Sequence, residues 1–157
     1  MTTITESKEY GLGQLTKFEY LDHTADIMFH TWGTNINEAF EQQVLAMMNY
    51  MVELNTVELT DDVESKELTV SGHDLDSLLF SFMDECLFIF NTEFLIFKEI
   101  KITNFDKENH SITASYKGIE LDKSKHTTGT EIKAITYSCM KIEETKDITN
   151  IYVIVDI

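Results

Sequence analysis

Asp26 and Asp156 stand at opposite ends of the chain, yet their settings match. Asp26 belongs to Y-L-D-H-T-A-D-I-M-F-H-T-W-G, residues 20–33, where it opens an alternating run. Asp156 closes the β-branched run I-Y-V-I-V-D-I, and Ile157 adds an α-carboxylate behind it. If the two strands are antiparallel neighbours, these groups converge at one end of a sheet. Two aspartates, a terminal carboxylate and a backbone carbonyl make an all-oxygen donor set. Such a set suits a hard cation, Ca²⁺ or Mg²⁺, with Mn²⁺ also acceptable. A plainer reading also fits the spacing, with Asp156 a solvated terminus and Asp26 a strand cap.

The remaining polar candidates are scattered. Asp22 and His23 share the D-H-T cluster with Asp26. His126 precedes a Thr-Thr-Gly-Thr loop, with Lys123, Lys125 and Lys133 around it. That loop suits either a phosphate or acidic partner patch, or simple solvation. His30 sits on an alternating strand, where a packed or surface-exposed ring is expected rather than a ligand. There is no H-E-x-x-H, no serine in a triad context, no G-x-x-x-x-G-K-[ST] and no G-x-G-x-x-G. Asp61, Asp62 and Glu64 read as a solvated acidic loop. Cys86 and Cys139 form no C-x-x-C pair, so a zinc site is not expected, and both read as buried thiols.

Charge narrows the function classes. The chain of 157 residues carries a formal net charge of −16, and all twelve basic residues are lysine. Nucleic-acid recognition begins by neutralising phosphates, so direct binding to nucleic acid is not expected. An anionic membrane is disfavoured for the same reason. Cations or a basic protein partner are favoured. The N-terminal M-T-T-I-T-E-S-K-E-Y-G-L-G lacks the apolar core of a secretory signal. No apolar stretch is longer than that of Cys86–Phe90, which is too short to span a bilayer. The default expectation is an intracellular protein, cytoplasmic or nuclear and not secreted.

Residues 1–16 read as a flexible tail and residues 17–157 as one domain. Lys17–Tyr20 is extended. Ile27–Trp32 is a strand with Ile27 and Phe29 on one face and Met28, His30 and Trp32 on the other. Asn35 and Glu38 have capping-box spacing for a helix ending near Val52. Its methionines read as core packing. Lys66–Ser71 is a strand. Asp74 caps a second helix from Leu75 to about Asn91, with an apolar stripe through Leu78, Leu79, Phe82 and Cys86. Phe80, Leu87, Phe88 and Ile89 widen that stripe, so this helix is expected to be the more buried one. Phe94–Phe97, Glu99–Phe105, Ser111–Lys117 and Ile151–Val155 read as strands, and Glu131–Ile142 mainly as one. The sum is an α+β fold: two amphipathic helices on a mainly antiparallel sheet of six or seven strands.

Four segments, F-E-Y-L-D-H-T-A-D-I-M-F-H-T-W-G-T-N-I-N-E-A-F-E-Q, D-L-D-S-L-L-F-S-F-M-D-E-C-L-F, K-H-T-T-G-T-E-I-K-A-I-T-Y-S-C-M and Y-V-I-V-D-I, resemble in order the archease family. Archeases are accessory proteins of the RtcB-type RNA ligase. The resemblance runs from about Lys17 to Ile157. It implies a non-catalytic activator that promotes the ligase's GTP-dependent guanylylation and multiple turnover in tRNA splicing. The implied partner is that ligase or a tRNA ligase complex. The metal positions carried over are Asp26, Asp156 and Ile157, with a divalent cation, calcium for the isolated protein and Mn²⁺ or Mg²⁺ as alternatives. Asp22, His23, His126 and Lys133 fall in the other motifs and imply partner contact or support of the site. The loop H-T-T-G-T lacks the proline often found there, and the helix start N-I-N-E carries less acid than is common. Two other classes stay open: a small metal-dependent hydrolase using Asp26, Asp156 and His23, and a chaperone-like interaction module without a metal role.

Overall fold

The computed structural model describes residues 16–23 and 26–157, the side chains of Asp22 and His23 excepted. Residues 1–15 of the expected tail lie outside this range. Among the described residues, eight strands and two long helices follow the chain order β1 (Phe18–His23), β2 (Asp26–Gly33), α1 (Ile36–Met51), β3 (Lys66–Ser71), α2 (Leu75–Glu93), β4 (Leu95–Asp106), β5 (Ser111–Glu120), β6 (Ala134–Ile135), β7 (Lys141–Glu144) and β8 (Thr149–Asp156). The class is α+β, but the strands divide between two antiparallel sheets. One runs β1-β2-β8-β6, with β7 also on β8, and the other β3-β5-β4. No helix among the described residues is long and apolar enough to cross a membrane.

The helix boundaries follow local chemistry. Asn35 Oδ1 accepts the Glu38 N–H at 2.9 Å, as an N-cap should. The reciprocal half of the expected box is displaced by one residue: Glu38 Oε1 accepts from the Thr34 N–H at 2.7 Å and pairs with Lys17 at 3.0 Å. Burial works to raise the Glu38 pKa, but the Thr34 N–H and the Lys17 ammonium outweigh it, and the net shift is downward. A complete box stands at α2, between Asp74 and Ser77. There Phe94 ends the helix in the left-handed region, with φ 55°.

α1 packs against β2 of the first sheet and β4 of the second. It is therefore apolar or satisfied nearly all round, and residues as polar as Gln42 and Gln43 are buried on it. Gln43 Nε2 donates to Phe29 O at 3.1 Å and Thr31 Oγ1 at 2.9 Å, tying the helix to β2. This corrects the expectation that α2 is the more buried helix. α2 lies mainly against the second sheet, touching only the short β6 and β7 of the first, and Phe88 on its outer side is 59% exposed. A wide apolar stripe cannot reveal which helix has a sheet on both sides.

Three further expectations change. The two strands expected at 94–105 are one, β4, with a register shift between Phe97 and Glu99 that swings Lys98 out of the ladder. Glu131–Ile142 is not one strand. Thr136 N–H donates to Ile154 O, residues 137–140 loop out, and the chain rejoins β8 with Lys141 opposite Tyr152. Cys139 rides that loop with φ 54° and is exposed rather than buried.

Glu41 offers a test of how α1 meets the second sheet. Its Oε2 accepts the Ile102 N–H at 2.7 Å beside the second irregularity of β4. Burial pushes its pKa up, against the Ile102 N–H and Lys101. A carboxyl whose folded pKa is raised holds its proton more tightly in the native state. Its charged form therefore costs stability at neutral pH, and the cost fades as pH falls through the folded pKa toward the unfolded value. Glu41→Gln keeps an oxygen acceptor and should raise the urea midpoint at neutral pH. The gain should shrink at about pH 4.

Candidate functional site

The first sheet brings the two ends of the chain side by side. β2 and β8 are antiparallel, and Asp26 lies directly opposite Asp156. Residues directly opposite in such a pair project from the same face, with Cβ atoms about 5 Å apart. Ile27 and Phe29 point into the core beneath α1, so the alternation places Asp26 and Asp156 on the other face. The row continues on both sides: Ala134 of β6 is paired with Asp156, and His23 of β1 holds the register position opposite Asp26. Lys133 enters through its backbone, its N–H donating to Asp156 O at 2.8 Å. Its ammonium is exposed and makes no ion pair among the described residues. Ile157 follows Asp156 directly and is partly buried against the core.

Like charges directly opposite one another in a sheet repel. Asp26 and Asp156 therefore set two negative charges side by side at this end of the ladder. Their donor chemistry is all oxygen and fits a hard cation. Among the described residues, no three His, Cys, Asp or Glu side chains gather closely enough to hold a metal ion by themselves. The described part of the set is thus two aspartates with Ile157 beside them. Asp22 and His23 belong to the same strand end, but their side chains lie outside the described residues.

Residues 18–157 match the Archease protein family. The chain belongs to the archease family. It is 67% identical to an archease-like protein of Dictyostelium discoideum over 96% of this chain and 99% of that one. Its fold is similar to the solution structure of Methanobacterium thermoautotrophicum protein 1598, with a TM-score of 0.74 and 32% identity over 90% of this chain and 99% of the other. A crystal structure from Thermotoga maritima, described as an archease and possible chaperone, has a TM-score of 0.58 at 21% identity, over 87% of this chain and 94% of that one. The last likeness speaks for the fold alone.

Within this archease fold, the remaining predicted residues separate. His126 does not join the carboxylates. It is buried, and its Nδ1 accepts the Asp122 N–H at 3.0 Å across a tight turn. The loop after it caps α1: Gly129 N–H donates to Met51 O at 2.7 Å and Thr130 N–H to Tyr50 O at 3.0 Å. These satisfy carbonyls that a helix end otherwise leaves open. A Cβ at Gly129 would stand 2.3 Å from Tyr50 O, so the glycine of H-T-T-G-T permits a close backbone approach. The segment from His126 to Lys133 thereby joins the end of α1 to the end of β8.

Of the two expectations for His30, packed or surface-exposed, the structure shows the packed one. The ring is fully buried and stacks on Tyr152 at 4.3 Å, with Nδ1 2.7 Å from Glu19 Oε2 and Nε2 2.8 Å from Asn150 Oδ1. It shares a face with Asp26 but stands four residues along the strand, about 13 Å away at strand rise. Its partners were missed from the sequence, because Glu19 and Asn150 meet it only through strand pairing.

Proposed function

We propose that this protein is a non-catalytic accessory activator of an RtcB-type RNA ligase, acting in tRNA splicing to promote GTP-dependent guanylylation and multiple turnover. The observation that carries the reading is the pairing of Asp26, half-buried, with Asp156, exposed, where β2 begins and β8 ends. Asp26, Asp156 and Ile157 would hold a divalent cation, calcium for the isolated protein and Mn²⁺ or Mg²⁺ beside a ligase. Such an ion supplies positive charge next to triphosphate oxygens, which bare carboxylates would repel. The chain has no arginine and a net charge of −16, so its own surface suits a protein partner rather than GTP or RNA. Lys133, beside Asp156, suits contact with that partner. The working place is the cell interior where the ligase acts.

The test is RNA ligation by a matched RtcB-type ligase, with GTP, Mn²⁺ and RNA in excess over enzyme. The protein should turn a single round of joining into many. Asp26→Ala and Asp156→Ala should return the yield to about one product per ligase, a loss of tenfold or more under these conditions. Normal activation by both variants would remove the carboxylate pair from the mechanism. A chaperone-like module is the second reading, favoured by the exposed aromatics Phe88, Phe94 and Tyr137. It requires suppression of aggregation of unrelated proteins, insensitive to chelator and to both aspartate variants. A hydrolase would instead turn over a phosphoester alone, with metal but without ligase.

A further inference from the structure

The outer side of α2 carries aromatic rings where a surface helix normally carries charge. Phe80, Asp84 and Phe88 follow one another at a spacing of four and so lie along one face. Phe88 is exposed, and Phe80 is half-buried. Tyr137, from the loop after β6, stacks on Phe80 with ring centroids 4.5 Å apart and is itself 53% exposed. The face therefore presents two aromatic points, Phe80 with Tyr137 and then Phe88, about 12 Å apart at helical rise.

The charge between and around these points has one sign. α2 holds Asp76, Asp84, Glu85 and Glu93 and no basic residue. Glu93 lies 3.9 Å from Lys66. Asp76, Asp84 and Glu85 form no ion pair among the described residues. Asp84 is exposed and sits between the two aromatic points, with Glu85 beside it.

This combination selects the occupant. A second copy related by a two-fold axis would set the same acidic strip against itself. A nucleic acid would find rings to stack on, but no ammonium on α2 to meet its phosphates. A helix surface offers no open backbone for an added strand, so the matching element is another helix lying along it. Its apolar side chains must recur after about 12 Å, and positive charge must lie between them.

We propose that the outer face of α2 docks a basic amphipathic helix of a protein partner, with apolar side chains seven or eight residues apart on Phe80–Tyr137 and Phe88 and lysines or arginines on Asp84 and Glu85. The face is separate from the Asp26–Asp156 pair and does not depend on the activator reading. It differs from a general chaperone surface in requiring charge as well as apolar contact.

The experiment is an NMR titration of the ¹⁵N-labelled full chain. The probe is a synthetic helical peptide with leucine at i, i+3, i+4 and i+7 and lysine elsewhere. The controls are a scrambled peptide of the same composition and a copy with glutamate in place of lysine. The lysine peptide should give saturable shifts centred on Phe80, Asp84, Phe88 and Tyr137, with each control at least about tenfold weaker. Phe88→Ser, at an exposed position, should weaken binding about tenfold. The double variant Asp84→Lys, Glu85→Lys should weaken it as much or more. The same charge change at Asp61 and Asp62, in the loop after α1, should leave affinity within about twofold, which separates this face from net charge. Shifts spread over the acidic surface, equal binding of either control, or unchanged affinity in the α2 variants would overturn the proposal. So would concentration-dependent shifts at Phe88 without peptide, which would make a second copy the occupant.

Discussion

Phe40→Ala should cost about 3–5 kcal/mol, a large part of the stability of a domain this size. Phe40 is fully buried on α1. Its ring stands 5.1 Å from that of Phe105 on β4 and 6.2 Å from that of Phe82 on α2. It thus joins the helix between the sheets to the second sheet and to the second helix. Truncation removes apolar contacts to both β4 and α2, and two separate elements cannot both collapse into the space. The melting temperature should fall by roughly 6–20 °C at about 2–4 °C per kcal/mol. Phe88→Ala is the matched control, since that ring is 59% exposed, and its effect should stay within about 0.5 kcal/mol. Equal losses for the two variants would mean that the core is not centred on α1.

The second large effect concerns the cation proposed for Asp26 and Asp156. A ligand that binds only the native state stabilises it by about 2.7 kcal/mol at a hundredfold excess over its dissociation constant. Calcium should then raise the wild-type melting temperature by roughly 5–11 °C. Asp156→Asn should lose most of that response. In chelator the order should reverse or close, because the variant removes one of two like charges placed directly opposite in the ladder. A variant that is weaker in chelator, beside a wild type indifferent to calcium, would assign the pair a structural role only. The ligation and calcium experiments read different properties, so an activator without a cation remains distinguishable from a cation site without activation.

What the sequence determined by itself was local. Asn35 and Asp74 are N-caps because a short side-chain oxygen can reach N–H groups three residues on, and no distant partner is needed. Apolar spacing of helical period set α1 and α2, and β-branched alternation set β2, β3 and β8, because side-chain direction follows the backbone repeat. The motifs placed the chain in its family. Asp26 and Asp156 were legible as strand ends, since polarity interrupts the alternation there.

Only the tertiary structure decided what those elements meet. That Asp26 faces Asp156 depends on a register between strands more than a hundred residues apart, which no local pattern encodes. α1 became the more buried helix because a second sheet covers it, and Phe88 stayed exposed because none covers that side of α2. The stretch 131–142 broke into two short strands because the intervening residues loop away from β8. His126 stands apart from the carboxylates because the loop after it is bonded to the carbonyls at the end of α1. In each case the outcome depends on a contact between segments far apart in sequence, and such contacts exist only once the chain has folded.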